Sequence, residues 1–199
     1  MAAEAGSESN ADRDPLAEET LDSELAYRGG FLQVHSQTVR VPDGVIAQRE
    51  FIRHPGAVMI IPLQADGQVV LERQWRHPVG QAFVEFPAGK LDPNESALAC
   101  GQRELLEETG YVAGEWTYLG GFHNAIGYSD EKIHVYLARD LTLQEQKLDA
   151  GEVLEVFTQP WQDLLEGVRA GRITDVKTIV GAHWLADFLA GQWPARPPA

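Results

Sequence analysis

The chain has 199 residues, the length of one domain with at most a short extension. Its hydrophobic and charged fractions are those of a globular protein and exclude a collagen-like, coiled-coil or wholly disordered chain. The 30 acidic and 16 basic residues give a net charge of -14. This charge disfavours a nucleic-acid partner, because binding to phosphates needs a basic face.

Nothing in the sequence indicates a membrane or disulfide-bonded protein. The longest apolar run, residues 56–63, is far shorter than the ~20 residues of a membrane helix. The N-terminus lacks the basic-then-apolar layout of a secretion signal. A single cysteine, Cys100, cannot form an intrachain disulfide, which favours a reducing compartment. We therefore predict a cytoplasmic protein with no membrane contact.

Both ends of the chain have the composition of unstructured segments. Residues 1–24 contain eight acidic residues, one arginine and few apolar residues, which predicts a disordered acidic tail. Residues 192–199 contain three prolines and are predicted to fray.

Alternation of apolar and polar residues predicts strands over most of the remaining chain. Residues 31–41 and 45–53 flank a Pro-Asp-Gly turn and are predicted to form a hairpin. Residues 57–62, a continuous apolar run, and residues 69–75 flank an Asp-Gly turn and are predicted as a second hairpin. Further strands are predicted over residues 81–86, 116–122, 132–138 and 153–158.

Three segments have helical spacing. A Pro-Asn start and a Gly stop bound a predicted helix over residues 95–109. The other helices are predicted over residues 161–170 and 175–190. The fold class that follows is α+β, a mixed β-sheet sandwiched between helices.

The first predicted helix carries three carboxylates on one face. Glu104, Glu107 and Glu108 stand at positions i, i+3 and i+4, so their side chains are neighbours. Carboxylates that point the same way repel each other unless a cation offsets their charge. Mg²⁺ takes oxygen ligands from one or two carboxylates together with substrate phosphate oxygens. For these three residues alone, a solvated acidic helix face is the alternative to a metal site.

The spacing of the residues around these glutamates favours the metal site over the solvated helix face. Five residues separate Gly89 from Glu95, seven separate Glu95 from Arg103-Glu104-Leu105, and Glu107-Glu108 and Gly110 follow at intervals of one residue. This pattern resembles the signature of the Nudix hydrolases at every fixed position. It departs only at the closing aliphatic position, where this chain has Tyr111.

Four segments outside this signature resemble the ADP-ribose pyrophosphatase branch of that family: residues 53–58, 71–76, 85–89 and 128–134. The resemblance implies a Nudix hydrolase domain over residues 53–191. It also implies that residues 25–52 form an N-terminal β-sheet that joins two chains in a homodimer.

The resemblance implies a metal site on the first helix. Glu104 and Glu108 would be ligands, Glu107 a further ligand directly or through water, and the backbone carbonyl of Ala88 would complete the set. The cofactor implied is Mg²⁺, with Mn²⁺ as a substitute. Arg103 would pair with Glu95 and orient the glutamates, which places Arg103 among the catalytic residues.

Substrate and base residues follow from the same resemblance. Arg76 would hold the pyrophosphate, with Glu85 beside it, and Arg53 and Glu50 would line the nucleotide pocket. The general base is expected in the loop of residues 149–155, where Glu152 is our choice.

Three alternatives stay open. Glu155 or Glu107 could replace Glu152 as the base.

The reaction implied is hydrolysis of ADP-ribose to AMP and ribose 5-phosphate, but residues 123–127 lack the turn proline common among ADP-ribose enzymes. Other nucleoside diphosphate sugars, such as GDP-mannose or ADP-glucose, are therefore alternative substrates. A non-catalytic nucleotide-binding module is the third alternative, and the intact glutamates argue against it.

Overall fold

The computed structural model describes residues 14–148 and 150–194. The strands are β1 (Glu19–Arg28), β2 (Gln33–Arg40), β3 (Ile46–Arg53), β4 (Ala57–Pro62), β5 (Gln68–Arg76), β6 (Gln81–Glu85), β7 (Ala88–Lys90), β8 (Tyr111–His123), β9 (Lys132–Leu143) and β10 (Leu154–Pro160). The helices are α1 (Ala97–Thr109), α2 (Trp161–Arg169) and α3 (Val176–Leu189). The chain divides into two compact units, with one boundary after Arg53 and with Gly127–Ser129 belonging to the first unit.

The N-terminal unit is an antiparallel sheet in the order β1-β2-β3. The predicted hairpin of β2 and β3 is present, with Arg40 opposite Ile46 at its turn end. The Ile52 amide donates to the carbonyl of Tyr128 at 2.8 Å, which ties residues 127–129 to this sheet.

The predicted disordered tail is wrong for residues 19–24, because β1 begins at Glu19 and pairs with β2. Every residue of β1 is exposed, so its acidic side chains face water while its backbone groups bond β2. An exposed edge strand can therefore have the acidic, polar composition that is typical of a disordered tail. Residues 1–13 of the predicted tail lie outside the described residues.

The second unit contains two sheets. One is mixed, in the order β7-β4-β9-β8, with β4 parallel to β9 and the other pairs antiparallel. The other is antiparallel, in the order β10-β5-β6. The predicted hairpin of β4 and β5 is wrong, since these strands lie in different sheets and only the bridge between Leu63 and Val69 joins their ends. β4 is apolar on both faces, which suits a central strand covered on both sides.

The four-stranded sheet lies between helices, as predicted. Val58 and Ile60 of β4 pack in one apolar cluster with Leu105 of α1. Met59 and Ile61 point the other way, into a larger cluster that contains residues of α2 and α3. Alternate residues of one buried strand thus support helices on opposite faces. The α+β class and the mixed sheet between helices are confirmed.

Local interactions fix the position of α1. The helix begins two residues after the predicted start, because the Ser96 hydroxyl caps it by accepting from the Ala99 amide at 3.2 Å. It ends at Gly110, whose φ of 75° is left-handed. Gly101 lies so close to the sheet that an added Cβ would stand 3.2 Å from Cγ1 of Val58. The acidic face of α1 is therefore held at a defined height above the sheet.

The C-terminal helices begin and end within one residue of their predicted bounds. The predicted frayed end is wrong at Trp193, whose indole N–H donates to the carbonyl of Leu119 at 2.9 Å and whose ring packs 4.7 Å from that of Trp184. Residues 195–199 of that segment lie outside the described residues. In the described parts of the chain, no helix is both long and apolar enough to cross a membrane.

Candidate active site

The glycine that opens the signature lies against the first glutamate of α1. A Cβ built on Gly89 would stand 1.8 Å from Oε1 of Glu104, so any larger residue would displace this carboxylate. Gly89 belongs to β7, a three-residue strand that the sequence analysis missed. The glycine is therefore required for space: it lets strand β7 approach the carboxylate on α1.

Glu108 is the most buried of the predicted ligands. Its side chain accepts from the Ala88 amide at 3.0 Å, which brings the predicted carbonyl donor and this glutamate together. Burial raises the pKa of Glu108 well above its ordinary value, and the negative charges of Glu72, Glu104 and Glu152 raise it further. Burial also raises the pKa of Glu104, with the charge of Glu107 adding to the effect.

Arg103 connects the other acidic residues of the signature. Its Nε and Nη2 donate to the two oxygens of Glu95, each at 2.9 Å, which is the ion pair that the resemblance implied. Its Nη1 donates to Glu104 at 2.7 Å and to Glu107 at 3.0 Å. The hydrogen bonds from Arg103 lower the pKa of Glu95 to about 2. Arg103 thus holds three carboxylates in fixed directions.

These ion pairs also determine where the carboxylates point. Among the described residues, no three His, Cys, Asp or Glu side chains are gathered closely enough to coordinate one ion as they stand. Glu104 and Glu107 face Arg103 instead. Each ion pair uses one oxygen of its glutamate, so a cation could bind the other oxygen while Arg103 keeps its contacts. The donors themselves, carboxylates and a backbone carbonyl, are the oxygen ligands that a hard divalent cation takes.

Glu72 of β5 is a site residue that the sequence analysis missed. It is fully buried, and burial together with the charge of Glu85 raises its pKa to about 7. Strand alternation offered a signal, because Glu72 stands two and four residues before Gln74 and Arg76 and so shares their face of β5.

Two of the candidate bases, Glu152 and Glu155, have different surroundings in the structure. The Glu152 side chain accepts from Gln74 at 3.2 Å, and its charge contributes to the raised pKa values of Glu72, Glu104 and Glu108. Glu155 is exposed and pairs with Arg73 at 3.0 Å. Only Glu152 of these two shares the environment of the buried carboxylates. Its loop neighbour Asp149 lies outside the described residues.

A second, compensated charge network adjoins these carboxylates. Arg76 donates to both oxygens of Glu85 at 2.7 Å, and Lys177 bonds Glu85 and Asp175. Burial opposes ionisation of Glu85, but the hydrogen bond from Arg76 and the charge of Lys177 outweigh it and lower the pKa. Both cations line a pocket of about 420 Å³. Sequence analysis named Arg76 and Glu85 but missed Lys177.

Arg53 and Glu50 lie on β3, in the N-terminal unit, and both are exposed. The guanidinium of Arg53 stands over the ring of Phe51, 5.0 Å from its centre. The assignment of Arg53 and Glu50 to the nucleotide pocket stays a prediction.

Comparison with known proteins agrees with this geometry. Residues 53–177 match the NUDIX domain. An ADP-ribose pyrophosphatase of Bacillus subtilis is 35% identical over 172 residues, which cover 85% of this chain and 93% of the relative. A GDP-mannose pyrophosphatase of Yersinia pestis is 33% identical over 176 residues, which cover 81% of this chain and 88% of the relative. The crystal structure of an ADP compounds hydrolase superposes with a TM-score of 0.81 at 25% identity, over 90% of this chain and 98% of that one.

The fold and the acidic helix thus define a hydrolase of the diphosphatase type. The chain belongs to the NUDIX family. Members of this family generally use divalent metal ions.

The raised pKa values at this site predict how stability depends on pH. In metal-free protein, the folded state keeps protons on Glu72, Glu104 and Glu108 that the unfolded chain releases above about pH 4.5. For Glu72, stability should therefore fall as pH rises from about 4.5 to about 7, by up to about 1.4 kcal/mol per pH unit. The raised pKa values of Glu104 and Glu108 act in the same direction. Urea unfolding in EDTA between pH 5 and pH 8 measures this slope.

Comparison with Glu72→Gln isolates the contribution of Glu72. The variant should show a smaller slope, because it lacks the Glu72 proton and removes a negative charge beside Glu108. The lowered pKa of His134, caused by burial, gives an opposite slope that is common to both proteins. Glu115→Gln removes an exposed carboxylate and should keep the wild-type slope. Equal slopes in wild type and Glu72→Gln would contradict the prediction.

Proposed function

We propose that this protein hydrolyses the diphosphate linkage of ADP-ribose, with Mg²⁺, to AMP and ribose 5-phosphate. The observation that carries the proposal is the cluster of buried and half-buried carboxylates formed by Glu72, Glu104, Glu108 and Glu152. Such a cluster is unfavourable in a protein interior unless a cation offsets its charge. The similarity to an ADP-ribose pyrophosphatase and to an ADP compounds hydrolase supports this choice of substrate.

Glu104, Glu108 and the carbonyl of Ala88 would hold the cation, with Glu107 as a further ligand directly or through water. When bound, Mg²⁺ supplies positive charge to the phosphate oxygens and lowers the pKa of a coordinated water. Mn²⁺ takes the same oxygen ligands and would substitute. Arg103 positions the glutamates, because its bonds to Glu95 fix the guanidinium that contacts Glu104 and Glu107.

The diphosphate needs positive side chains, because the protein as a whole carries a charge of -14. Arg76 is suited to this task, since a planar guanidinium binds phosphate oxygens at two points. Glu85 supports this orientation by accepting two hydrogen bonds from Arg76. Lys177 adds a second positive charge at the same pocket. We assign the nucleotide contacts to Arg53 and Glu50.

Glu152 is our proposed general base, which accepts a proton from the attacking water. Its support is its position: the charge of Glu152 acts on Glu72, Glu104 and Glu108, so its side chain shares the surroundings of these carboxylates. Gln74 holds its side chain by one hydrogen bond. Glu155 lacks this environment, because it is exposed and paired with Arg73.

The substitution Glu152→Gln tests this role. The turnover number should fall by about 10²–10⁴, the usual contribution of a general base, while the protein stays folded. Glu155→Gln is the matched control on the neighbouring strand and should stay within a few-fold of wild type. If Glu152→Gln also stays within a few-fold, the assignment is wrong and Glu107→Gln becomes the variant to measure.

A panel of nucleoside diphosphate sugars tests the reaction itself. We expect release of AMP from ADP-ribose with Mg²⁺, none in EDTA, and a large loss in Glu104→Gln. A preference for GDP-mannose or ADP-glucose would overturn ADP-ribose as the substrate. The proposed hydrolysis of a diphosphate linkage would still stand. Absence of hydrolysis of every diphosphate in the presence of metal would favour a binding module.

GDP-mannose is the second candidate because of two observations. One relative is a GDP-mannose pyrophosphatase of similar identity. The segment of residues 123–127, His-Asn-Ala-Ile-Gly, also lacks the proline expected of ADP-ribose enzymes.

We also propose that the protein is a cytoplasmic homodimer joined through the N-terminal sheet. Strand β1 exposes Leu21, Leu25 and Tyr27, and an exposed edge strand with apolar side chains is suited to pairing with another chain. The unpaired, buried thiol of Cys100 agrees with a reducing compartment.

Light scattering on the full chain at micromolar concentration tests the assembly. We expect twice the 22.0 kDa chain mass for wild type and a shift toward the single-chain mass when Leu21 and Leu25 are both replaced by Ser. A wild-type mass of one chain would contradict the homodimer.

A further inference from the structure

Glu72 is the least compensated charged side chain in the described part of the site. Its exposed fraction is 0%, and neither of its carboxylate oxygens has a hydrogen-bond partner. A buried carboxylate without donors is unstable relative to one in water, because no dipole or charge replaces its hydration. Either a proton or a hydrogen-bond donor from outside the protein must therefore compensate Glu72.

The cations nearest to Glu72 are bonded to other carboxylates. Arg76 and Lys177 both affect Glu72 electrostatically, but their hydrogen bonds go to Glu85, the residue opposite Glu72 in the β5–β6 register. Of these two adjacent glutamates, only Glu85 has partners for its oxygens.

The other charged groups that act on Glu72, or on which it acts, are negative. Glu108 is influenced by Glu72 more strongly than by any other charged group, and Glu152 also affects Glu72. The charge of Glu72 therefore acts on Glu108, the predicted ligand whose side chain accepts from the Ala88 amide. An additional carboxylate beside a ligand suits a site that holds a hydrated divalent cation, since Mg²⁺ keeps several of its waters in proteins.

We propose that Glu72 is a positioning residue of the cation site, where it accepts hydrogen bonds from water on a divalent cation held by Glu104 and Glu108. The inference rests on the proposed function, because it needs that cation. Glu72 thereby gains the donors that the protein does not supply, and the cation gains a further negative charge. A carboxylic acid that only fills space would have no effect on cation affinity.

Titration of the metal-stripped full chain with Mn²⁺, without substrate, tests this proposal. Isothermal titration calorimetry should show that Glu72→Gln weakens Mn²⁺ binding by roughly tenfold to a hundredfold, the usual effect of residues that support metal ligands. Glu115→Gln removes one exposed carboxylate and should keep the wild-type affinity. Circular dichroism and thermal unfolding in EDTA check that each variant is folded.

A second variant covers failure of the first to fold. Glu72→Leu removes both buried oxygens at similar volume and should weaken Mn²⁺ binding by the same factor. In hydrolysis assays, the Mg²⁺ concentration needed for half activity should rise by that factor, while the turnover number at saturating Mg²⁺ changes less. Mn²⁺ affinity within twofold of wild type in a folded Glu72 variant would overturn the proposal.

Glu104→Gln separates this proposal from the proposed function. If Glu104→Gln weakens Mn²⁺ binding and Glu72→Gln does not, the cation site stands and only the role of Glu72 is overturned. If neither variant changes Mn²⁺ binding, or if wild type does not bind Mn²⁺, the cation site itself is overturned, together with this inference.

Discussion

Repulsion among buried carboxylates is the constraint on which the site depends. Glu72 and Glu108 are buried and influence each other, and Glu104 and Glu152 add negative charge to the same environment. Folding alone would not favour this arrangement, because each carboxylate loses hydration and gains a like-charged neighbour. The fold must therefore hold these residues together through packing elsewhere, and protons or a bound cation must offset the charge that remains.

Apolar packing supplies that restraint. Leu105 anchors α1 in the same cluster as Val58 and Ile60, on the central strand of the mixed sheet. The Ser96 cap and the left-handed Gly110 fix where the helix begins and ends. Because the apolar and acidic faces of α1 belong to one rigid helix, the burial of Leu105 also fixes Glu104 and Glu108. The free energy that opposes the repulsion comes from the burial of apolar side chains and not from the carboxylates themselves.

Sequence analysis predicted the parts of this site that depend on local spacing. The signature from Gly89 to Gly110 runs from strand β7 through one loop into α1. Because this segment is continuous in the chain, its spacing identified the family and indicated Glu104, Glu107 and Glu108. It missed Glu72 and Lys177, because their proximity to Glu85 depends on the pairing of β5 with β6 and on the position of α3. The predicted β4–β5 hairpin was wrong for a related reason. A short turn indicates adjacency along the chain, whereas the apolar faces of β4 determined which sheet it joined.

Strand β5 separates the two kinds of charge at this site. Its face carries Glu72, which lacks hydrogen-bond partners, and Arg76, which donates two hydrogen bonds to Glu85. A diphosphate would lie between the proposed cation and Arg76, because its negatively charged oxygens would contact both. Glu85 accepts hydrogen bonds from both Arg76 and Lys177. The position of Arg76 is therefore fixed by Glu85. Because the hydrogen bonds of Arg76 go to Glu85, the oxygens of Glu72 are not used by this arginine. One strand would thus supply both a carboxylate at the proposed cation site and an arginine for the proposed diphosphate.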